Sequence, residues 1–236
     1  MEKIKIAAIQ MPTVADKMEN VRTVKAYLEK IKDEKPDFVI LPEMFLLSIS
    51  DREFSDLCGR RRWPDMAAVI CIRKTVWSLS DWGSMPEKDA EGNVYNTCYV
   101  FDREGKQIGK HRKVHLFDID IKGGQTFKES DTLTAGDSDT VFDTEFGKMG
   151  VMLCFDIRFP ELSRMMVNDG TRIVFVPAAF NMTTGPAHWN CLSEPEHWII
   201  RFIWLVVLRH VMYRQVYFLG TFYCHRSVGQ SHRYVR

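Results

Sequence analysis

The chain has 236 residues, of which 45% are hydrophobic and 27% charged, as in ordinary soluble globular proteins. Its 32 Lys and Arg residues nearly balance 31 Asp and Glu residues, so nothing in the charge favours a nucleic acid as partner. The apolar run 199–208 is broken by Arg201 and is too short to span a bilayer, so we expect no membrane partner. The first residues lead into a predicted strand without a signal-peptide pattern.

The cysteine pattern indicates free thiols. No two cysteines form a CxxC pair, and their spacing is not typical of zinc sites. A chain of this size does not need disulfides to be stable. We therefore expect a reducing, cytoplasmic setting and neither a metal nor another cofactor. The six cysteines are Cys58, Cys71, Cys98, Cys154, Cys191 and Cys224.

The first 43 residues predict a β-α-β unit. Residues 3–10 are a compact apolar run, and residues 20–31 place apolar side chains at helical spacing. Pro36 ends the helix, and residues 37–41 form a second apolar run that stops just before Glu43. This order implies a parallel strand pair with a helical crossover.

The middle of the chain predicts further strands and one helix. Strands alternate with helices and no linker or repeat interrupts them, so we predict one α/β domain over residues 1–236 with helices on the sheet faces. In chain order the segments are a hairpin of 93–102 and 107–110, a loop over 117–136, strands at 141–143 and 148–154, a helix over 161–169, a strand at 171–177 and a polar loop over 181–188.

Cys154 lies where a predicted buried strand ends and a helix is about to begin. A thiol on such a turn, near the positive end of a helix, is expected to favour the thiolate. Taken alone, a cysteine in an apolar strand is more often a small apolar residue that fills space. The neighbouring motifs decide between these interpretations.

Glu43 and Lys113 also follow predicted strands, and strand ends are where catalytic groups collect in layered α/β domains. Taken singly, Glu43 could cap a helix and Lys113 could belong to a solvated basic run, 110–113. Together with Cys154 they provide a general base, a fixed cation and a nucleophile. The set is chemically complete for nucleophilic attack on a carbonyl.

Three motifs carry a resemblance to the nitrilase, or carbon-nitrogen hydrolase, superfamily: LPEMF around Glu43, HRKVHLF around Lys113 and GVMLCFDIRFPEL around Cys154. The stretches FDID, TFKES, TAGD and FNMTTGPAHW are most similar to its omega-amidase-like branch. The resemblance implies a four-layer α-β-β-α sandwich that forms a homodimer or a larger homo-oligomer. It also implies a second glutamate in the loop after the lysine, a place that Glu129 fills within TFKES.

The same resemblance implies hydrolysis of a non-peptide C–N bond in a small amide, with release of ammonia and a thioester on Cys154. Glu43 would take the thiol proton, Lys113 and the backbone N–H of Phe155 would hold the oxyanion, and Glu129 would orient the water. A nitrile or N-carbamoyl hydrolase would use the same triad. A nitrilase-fold remnant without activity is an alternative of a different class.

Three further residues have two interpretations each. His115 and His188 suggest a cysteine–histidine pair, although the family uses glutamate as the base. Arg158, four residues after Cys154, could bind a substrate carboxylate bidentately. It could equally form an ion pair with Glu161 or another structural acid.

Two segments depart from the family pattern: part of 46–82, and 190–236. Codons for 194–210 can be chosen so that the next reading frame encodes RARALDNQVYMVGGAPA, which a family member should show after its PAHW motif. Loss of a single G after the Trp189 codon turns TGG GAA CTG into TGG AAC TGC, which encodes the observed Trp-Asn-Cys. Residues 77–82 can likewise conceal GVYLIG. We therefore predict that both segments are frameshifted and that the C-terminal strands are incomplete or scrambled.

Overall fold

The computed structural model describes residues 4–46, 78–123, 126–179, 203–208 and 217–219. For residues 81–82, 203–205, 207–208 and 217–219 it describes the backbone alone. These residues form two five-stranded sheets and one two-stranded sheet. The helices are α1 (Lys17–Ile31) and α2 (Pro160–Asn168). The strands are β1 (Ile6–Ala8), β2 (Phe38–Ile40), β3 (Leu79–Lys88), β4 (Val94–Phe101), β5 (Gln107–Arg112), β6 (Asp118–Asp120), β7 (Thr126–Lys128), β8 (Val141–Thr144), β9 (Gly147–Val151), β10 (Ile173–Ala178), β11 (Ile203–Leu208) and β12 (Tyr217–Leu219).

The first sheet has the order β1-β2-β3-β4-β5 and contains the predicted β-α-β unit. Strands β1 and β2 are parallel, and α1 connects them. The helix begins three residues earlier than its apolar spacing predicts. Its start is set by Asp16, whose side chain accepts hydrogen bonds from the backbone N–H groups of Met18 (2.8 Å) and Glu19 (3.2 Å). The hairpin β4–β5 is confirmed.

Strand β3 was not predicted, because its Gly83 and Pro86 conceal the alternation typical of a strand. It pairs in parallel with β2 and antiparallel with β4, and its register shifts between Asp81 and Ser84. A Cβ atom at Gly83 would overlap the carbonyl oxygen of Pro42, so only glycine lets β3 pass the chain just before Glu43. Most of the segment 46–82 lies outside the described residues.

The prediction of a loop over 117–136 is wrong in part. Strands β6 and β7 pair there as a small antiparallel sheet, followed by a 3₁₀ turn over Glu129–Asp131. Each strand has three residues, too few to produce a periodic signal. The side chain of Asp118 accepts hydrogen bonds from the N–H (3.1 Å) and hydroxyl (2.6 Å) of Ser130, which fixes the turn that carries Glu129.

The second sheet has the order β12-β11-β10-β9-β8. The expectation of incomplete C-terminal strands needs correction at β11, which pairs in parallel with β10 along six residues, from Ile173 to Ala178. Its sequence, IWLVVL, is entirely apolar and rich in β-branched residues, so it suits a buried strand whatever its origin. The rest of 190–236 apart from β12, and the predicted loop 181–188, lie outside the described residues.

The layers follow from side-chain alternation along the strands. Phe38 and Ile40 of β2 belong to a cluster that includes Phe175 of β10 and therefore joins the inner faces of the two sheets. On the outer faces, Val24 of α1 belongs to a cluster with β2, and Met166 of α2 to one with β10 and β11. This is the α-β-β-α sandwich that the resemblance implies. No helix among the described residues is long and apolar enough to cross a membrane.

Candidate active site

Lys113 directly follows β5 and lies between two carboxylates. Its Nζ donates a hydrogen bond to Oε1 of Glu43 at 2.9 Å and lies 2.9 Å from each carboxylate oxygen of Glu129. All three side chains are buried, with that of Lys113 only 1% exposed. The alternative of a solvated basic run is therefore wrong for this lysine. Alternation along β5 directs Lys110 and Arg112 to the opposite face.

Two polar residues of neighbouring strands hold the Glu43 turn. Ser84 of β3 accepts a hydrogen bond from the backbone N–H of Met44 at 3.0 Å, and Met44 has a positive φ of 50°. Asn96 of β4 donates from Nδ2 to Oε1 of Glu43 at 3.0 Å, and its carbonyl accepts from the backbone N–H of Lys113 at 2.8 Å. Asn96 thus contacts both the carboxylate and the lysine. Asn96 was not identified from the sequence. The available signal was an asparagine inside the strand VYNTCYVF, because a polar side chain that such a strand buries needs a hydrogen-bond partner.

Glu129 joins the loop after Lys113 to the same cluster. Its Oε2 accepts a hydrogen bond from the backbone N–H of Phe117 at 2.8 Å, while its own N–H donates to the Phe117 carbonyl at 3.2 Å. Burial raises the pKa of Glu129, and the charge of Lys113 opposes that rise. The loop and the ion cluster therefore hold each other in place.

Cys154 begins a 3₁₀ turn, Cys154–Arg158, three residues after β9 ends. Its backbone has a φ of +44°, in the left-handed region that a non-glycine residue enters at a cost of about 1–3 kcal/mol. Strain of this kind persists where the surrounding structure fixes a side chain for a task. The thiol is close enough to Glu43, Lys113 and Glu129 for their charges to shift its pKa.

The expectation of a thiolate is wrong. Burial and the Glu43 charge raise the pKa of Cys154 well above its usual value, and Lys113 and a hydrogen bond from the Ala179 backbone lower it less. Helix α2 begins at Pro160, too far along the chain for its N-terminal dipole to act strongly on the sulfur. The resting thiol is neutral and needs a base beside it to react.

Lys113 remains charged in this setting. Burial alone would lower the pKa of Lys113, but the negative charges of Glu43 and Glu129 raise it above the usual lysine value. The site therefore holds one fixed cation beside two carboxylates and a neutral thiol. This combination can take a proton from sulfur and stabilise a developing oxyanion.

Comparison with known proteins assigns the family. The profile of the carbon-nitrogen hydrolase family matches residues 5–197, which include Glu43, Lys113, Glu129 and Cys154. The chain belongs to the carbon-nitrogen hydrolase family. Omega-amidase NIT3 of Saccharomyces cerevisiae is 38% identical over 201 residues, which cover 82% of this chain and 69% of that protein. A hydrolase of Schizosaccharomyces pombe is 38% identical over 192 residues, which cover 80% of this chain and 59% of that protein.

The fold comparison agrees. The crystal structure of S. cerevisiae Nit3, a member of branch 10 of the nitrilase superfamily, superposes with a TM-score of 0.77 at 31% identity, covering 87% of this chain and 75% of that one. This carbon-nitrogen hydrolase therefore shares the fold of that branch. It spans 59% of the length of the S. pombe hydrolase and 69% of the S. cerevisiae omega-amidase.

Arg158 ends the turn that Cys154 begins, and it is an unpaired cation within the described part of this carbon-nitrogen hydrolase. It forms no ion pair with Glu161 or any other described acid, and its buried Nε has no hydrogen-bond partner there. Its guanidinium lies 4.9 Å from the centre of the Phe155 ring. Desolvation lowers the pKa of Arg158. A partly desolvated cation near Cys154 can bind an anionic group.

The histidine alternative finds no support in the described contacts. Nδ1 of His115 lies 2.9 Å from Oδ1 of Asp156, and its ring stacks on Phe159 with centroids 3.5 Å apart. The described partner of the His115 ring nitrogen is thus the Asp156 carboxylate and not the Cys154 thiol. His188 lies outside the described residues. Phe155 follows Cys154 in the turn, and the role of its backbone N–H stays a prediction.

Proposed function

We propose that this carbon-nitrogen hydrolase cleaves a small omega-amide of a dicarboxylic acid through a thioester on Cys154, releasing ammonia. The observation that carries the proposal is the buried Glu43–Lys113–Glu129 ion cluster beside a neutral thiol. A relative that shares 38% of its residues over 82% of this chain is an omega-amidase, which supports the substrate class.

In the acylation half, the Cys154 sulfur attacks the amide carbonyl while Glu43 takes the thiol proton. A base is required because the resting thiol is neutral. Lys113 and the backbone N–H of Phe155 hold the oxyanion of the tetrahedral intermediate. The C–N bond then breaks, and the nitrogen leaves as ammonia with the proton that Glu43 carries.

In the deacylation half, water replaces ammonia. Glu43 takes a proton from the water as its oxygen attacks the thioester carbonyl, and Glu129 orients that water. The C–S bond breaks, the carboxylic acid departs, and the proton returns to Cys154. Because Lys113 binds both glutamates at 2.9 Å, the base and the water-orienting group keep a fixed separation in both halves.

Arg158 supplies the preference for a dicarboxylic acid derivative. Its guanidinium lacks an acidic partner among the described residues and stands on the same turn as the nucleophile. A carboxylate at the far end of the substrate can pair with it bidentately while the amide carbonyl reaches Cys154. A neutral amide gains no such contact.

The test measures ammonia release from matched substrates: omega-amides with a free distal carboxylate, their methyl esters, nitriles and N-carbamoyl acids. We expect the free omega-amides to react best and Cys154→Ala and Cys154→Ser to abolish release. Arg158→Met should raise KM about tenfold or more for the free acids and little for the esters. Arg112→Met is the control. Arg112 is a cation that binds Glu87, and its side chain points to the face of β5 opposite to Lys113.

Two results would contradict the proposal. Retained activity in Cys154→Ala would exclude the nucleophile, and faster turnover of nitriles or N-carbamoyl acids would exclude the substrate class. Absence of release from every substrate would favour the inactive remnant, which the departures in 190–236 suggest as the second candidate.

The setting and the assembly belong to the same proposal. A thiol nucleophile acts only while reduced, so we place the enzyme in a reducing compartment such as the cytoplasm. The family resemblance further leads us to propose a homodimer or larger homo-oligomer. Light scattering after size-exclusion chromatography tests this, and a monomer at micromolar concentration would contradict it.

A further inference from the structure

Asp156 is a fully buried carboxylate that the reaction above does not use. It stands two residues after Cys154 in the same 3₁₀ turn. Four donors surround it at 2.9–3.0 Å: the backbone N–H groups of Leu153 and His115, and ring nitrogens of His111 and His115. A carboxylate has about four lone-pair sites, so every one of them is engaged.

The donors lie next to Cys154 and on both sides of Lys113 in the sequence. Leu153 immediately precedes Cys154, while His111 and His115 lie two residues before and two residues after Lys113. One side chain therefore joins the turn that carries the nucleophile to both flanks of the lysine. Thr140 extends the contact, since its hydroxyl lies 3.1 Å from Nδ1 of His111 and donates to the Lys110 carbonyl.

The carboxylate is charged. Burial alone would raise the pKa of Asp156, but the hydrogen bonds from His111 and His115 hold it well below the usual value. A buried charge that is fully hydrogen-bonded is costly to displace, because any movement leaves it unpaired. The Asp156 contacts are therefore rigid, which is what a fixed distance between two reacting groups requires.

We propose that Asp156 is a positioning residue that sets the separation of Cys154 and Lys113 through His111 and His115. The inference rests on the proposed function, because the separation matters only if these residues share a reaction. A misplacement of about 1 Å can cost roughly 10²-fold in rate. The expected loss is in kcat, since Asp156 contacts neither the amide nor its distal carboxylate.

The sharpest variant is Asp156→Asn. Its amide has one oxygen and one NH₂ group, whereas both carboxylate oxygens accept a backbone N–H, from His115 and from Leu153. Whichever way the amide turns, a donor faces a donor, so one half of the contact is lost without a change in volume. His115→Ala, at a partly exposed position, removes one contact and leaves Asp156 charged.

Glu87→Gln is the matched control. Glu87 accepts hydrogen bonds from Thr97, Lys110 and Arg112 and is as heavily engaged as Asp156. Glu87 belongs to β3 and contacts the side chains of β5 that point away from the face of His111 and Lys113, so it lies outside the proposed machinery. A general loss of stability would appear in Glu87→Gln as well as in Asp156→Asn.

The experiment measures kcat and KM for omega-amide hydrolysis per Cys154 site, counted by mass spectrometry of the alkylated peptide. We expect kcat to fall about 30- to 100-fold in Asp156→Asn and several-fold in His115→Ala, with KM within about threefold of wild type. Glu87→Gln should stay within about twofold in both constants. A kcat per site in Asp156→Asn and His115→Ala that equals wild type would overturn the inference.

Failure of the proposed function is recognised separately. If the wild-type chain hydrolyses no amide, the pH midpoint of Cys154 alkylation by iodoacetamide decides the role of Asp156. A turn released from its buried position regains water, so the midpoint in Asp156→Asn should move by at least about one pH unit towards that of an ordinary thiol. An unchanged midpoint would overturn the inference.

Discussion

The charges around Cys154 act in opposite directions on its thiol. Burial and the Glu43 carboxylate raise the pKa of Cys154, whereas Lys113 and the Ala179 backbone lower it. In the proposed mechanism the thiol stays neutral until Glu43 takes its proton, so we expect it to react poorly with oxidants and alkylating agents, which need the thiolate. This proposal reserves the reactivity of Cys154 for a substrate that reaches both the sulfur and Glu43.

Glu43→Gln should therefore change two rates in opposite directions. Removing a negative charge lowers the pKa of Cys154, and each pKa unit is worth about tenfold in thiolate at a fixed pH below it. We expect iodoacetamide at about pH 8 to alkylate Cys154 at least about threefold faster. Amide hydrolysis should fall at least roughly 10²-fold, because the base is lost.

Glu129→Gln provides the comparison for that prediction. Glu129 contributes less than Glu43 to the raised pKa of Cys154, so its removal should accelerate alkylation less. Equal alkylation rates in wild type and Glu43→Gln would show that the carboxylate charge does not act on the sulfur.

Lys113 is the residue whose loss should cost both stability and activity. Breaking a buried ion pair by removing one partner costs about 3–5 kcal/mol, since Glu43 and Glu129 would remain buried without their cation. Lys113→Met should lower the free energy of unfolding in urea by this amount and kcat by roughly 10²–10³-fold.

The double variant Lys113→Met/Glu129→Gln separates the two effects. Neutralising Glu129 removes one of the unpaired charges, so part of the lost stability should return while activity does not. Unchanged unfolding of Lys113→Met would mean that the three side chains do not form the buried ion cluster.

At the scale of elements, the strand ends bring Glu43, Lys113 and Cys154 together, and the sequence predicts these ends well. Apolar runs that stop at a polar residue mark β2 and β9, and a hairpin pattern marks β5, each to within a few residues. The contacts between distant elements leave no such mark. Asp156 and His111 lie 45 residues apart in the chain, and no spacing predicts their hydrogen bond.

Strand β3 is an element that the sequence does not predict. Its bulge at Gly83–Ser84 supports the Glu43 turn, yet glycine, proline and polar residues hide it from any periodic pattern. Asn96 is a similar case, because its importance arises from the burial that β3 and β5 impose on β4. Pairing partners, rather than local propensity, decide such positions.

Gly136 should control the end of β5. Its N–H donates to the Lys113 carbonyl at 2.8 Å, and a Cβ there would overlap the Arg112 carbonyl, a backbone group that cannot rotate away. Gly136→Ala must therefore move the strand end that carries Lys113. We expect kcat to fall by roughly 10²-fold and stability by about 1–3 kcal/mol, measured by steady-state kinetics and urea unfolding.

Gly109→Ala, within β5 itself, tests whether the loss of kcat expected for Gly136→Ala depends on the position of the added methyl group. A Cβ at Gly109 would press only on the side chains of Phe142 and Val100, at 3.2 Å. It should cost stability but leave kcat within about twofold of wild type. Equal kcat losses in the two variants would contradict a specific role for the strand end at Lys113.

At the scale of the whole molecule, the C-terminal segment decides how complete the sandwich is. The family profile matches residues 5–197, and β11 and β12 follow beyond that match. Strand β11 lies beside β10, and at its positions Ile203–Val207 the shifted reading frame would encode YMVGG. An apolar run in either frame can cover that side of β10.

We predict that independent sequencing of the gene shows one additional G after the Trp189 codon. The chain would then continue through RARALDNQVYMVGGAPA, and the restored protein should unfold at a higher temperature because its sheet is completed by strands of the family pattern. An unaltered coding sequence, together with peptides from 190–236 detected in the purified protein, would contradict the frameshift.

The most direct test of the account is to capture the covalent intermediate. The purified chain is mixed with a small omega-amide, quenched in acid within the first turnovers and digested, and the peptide that contains Cys154 is weighed. We predict a mass increase equal to the acyl group on Cys154, formed together with one equivalent of ammonia and absent in Cys154→Ala. Ammonia release without an acyl group on Cys154, or with the group on another residue, would contradict it.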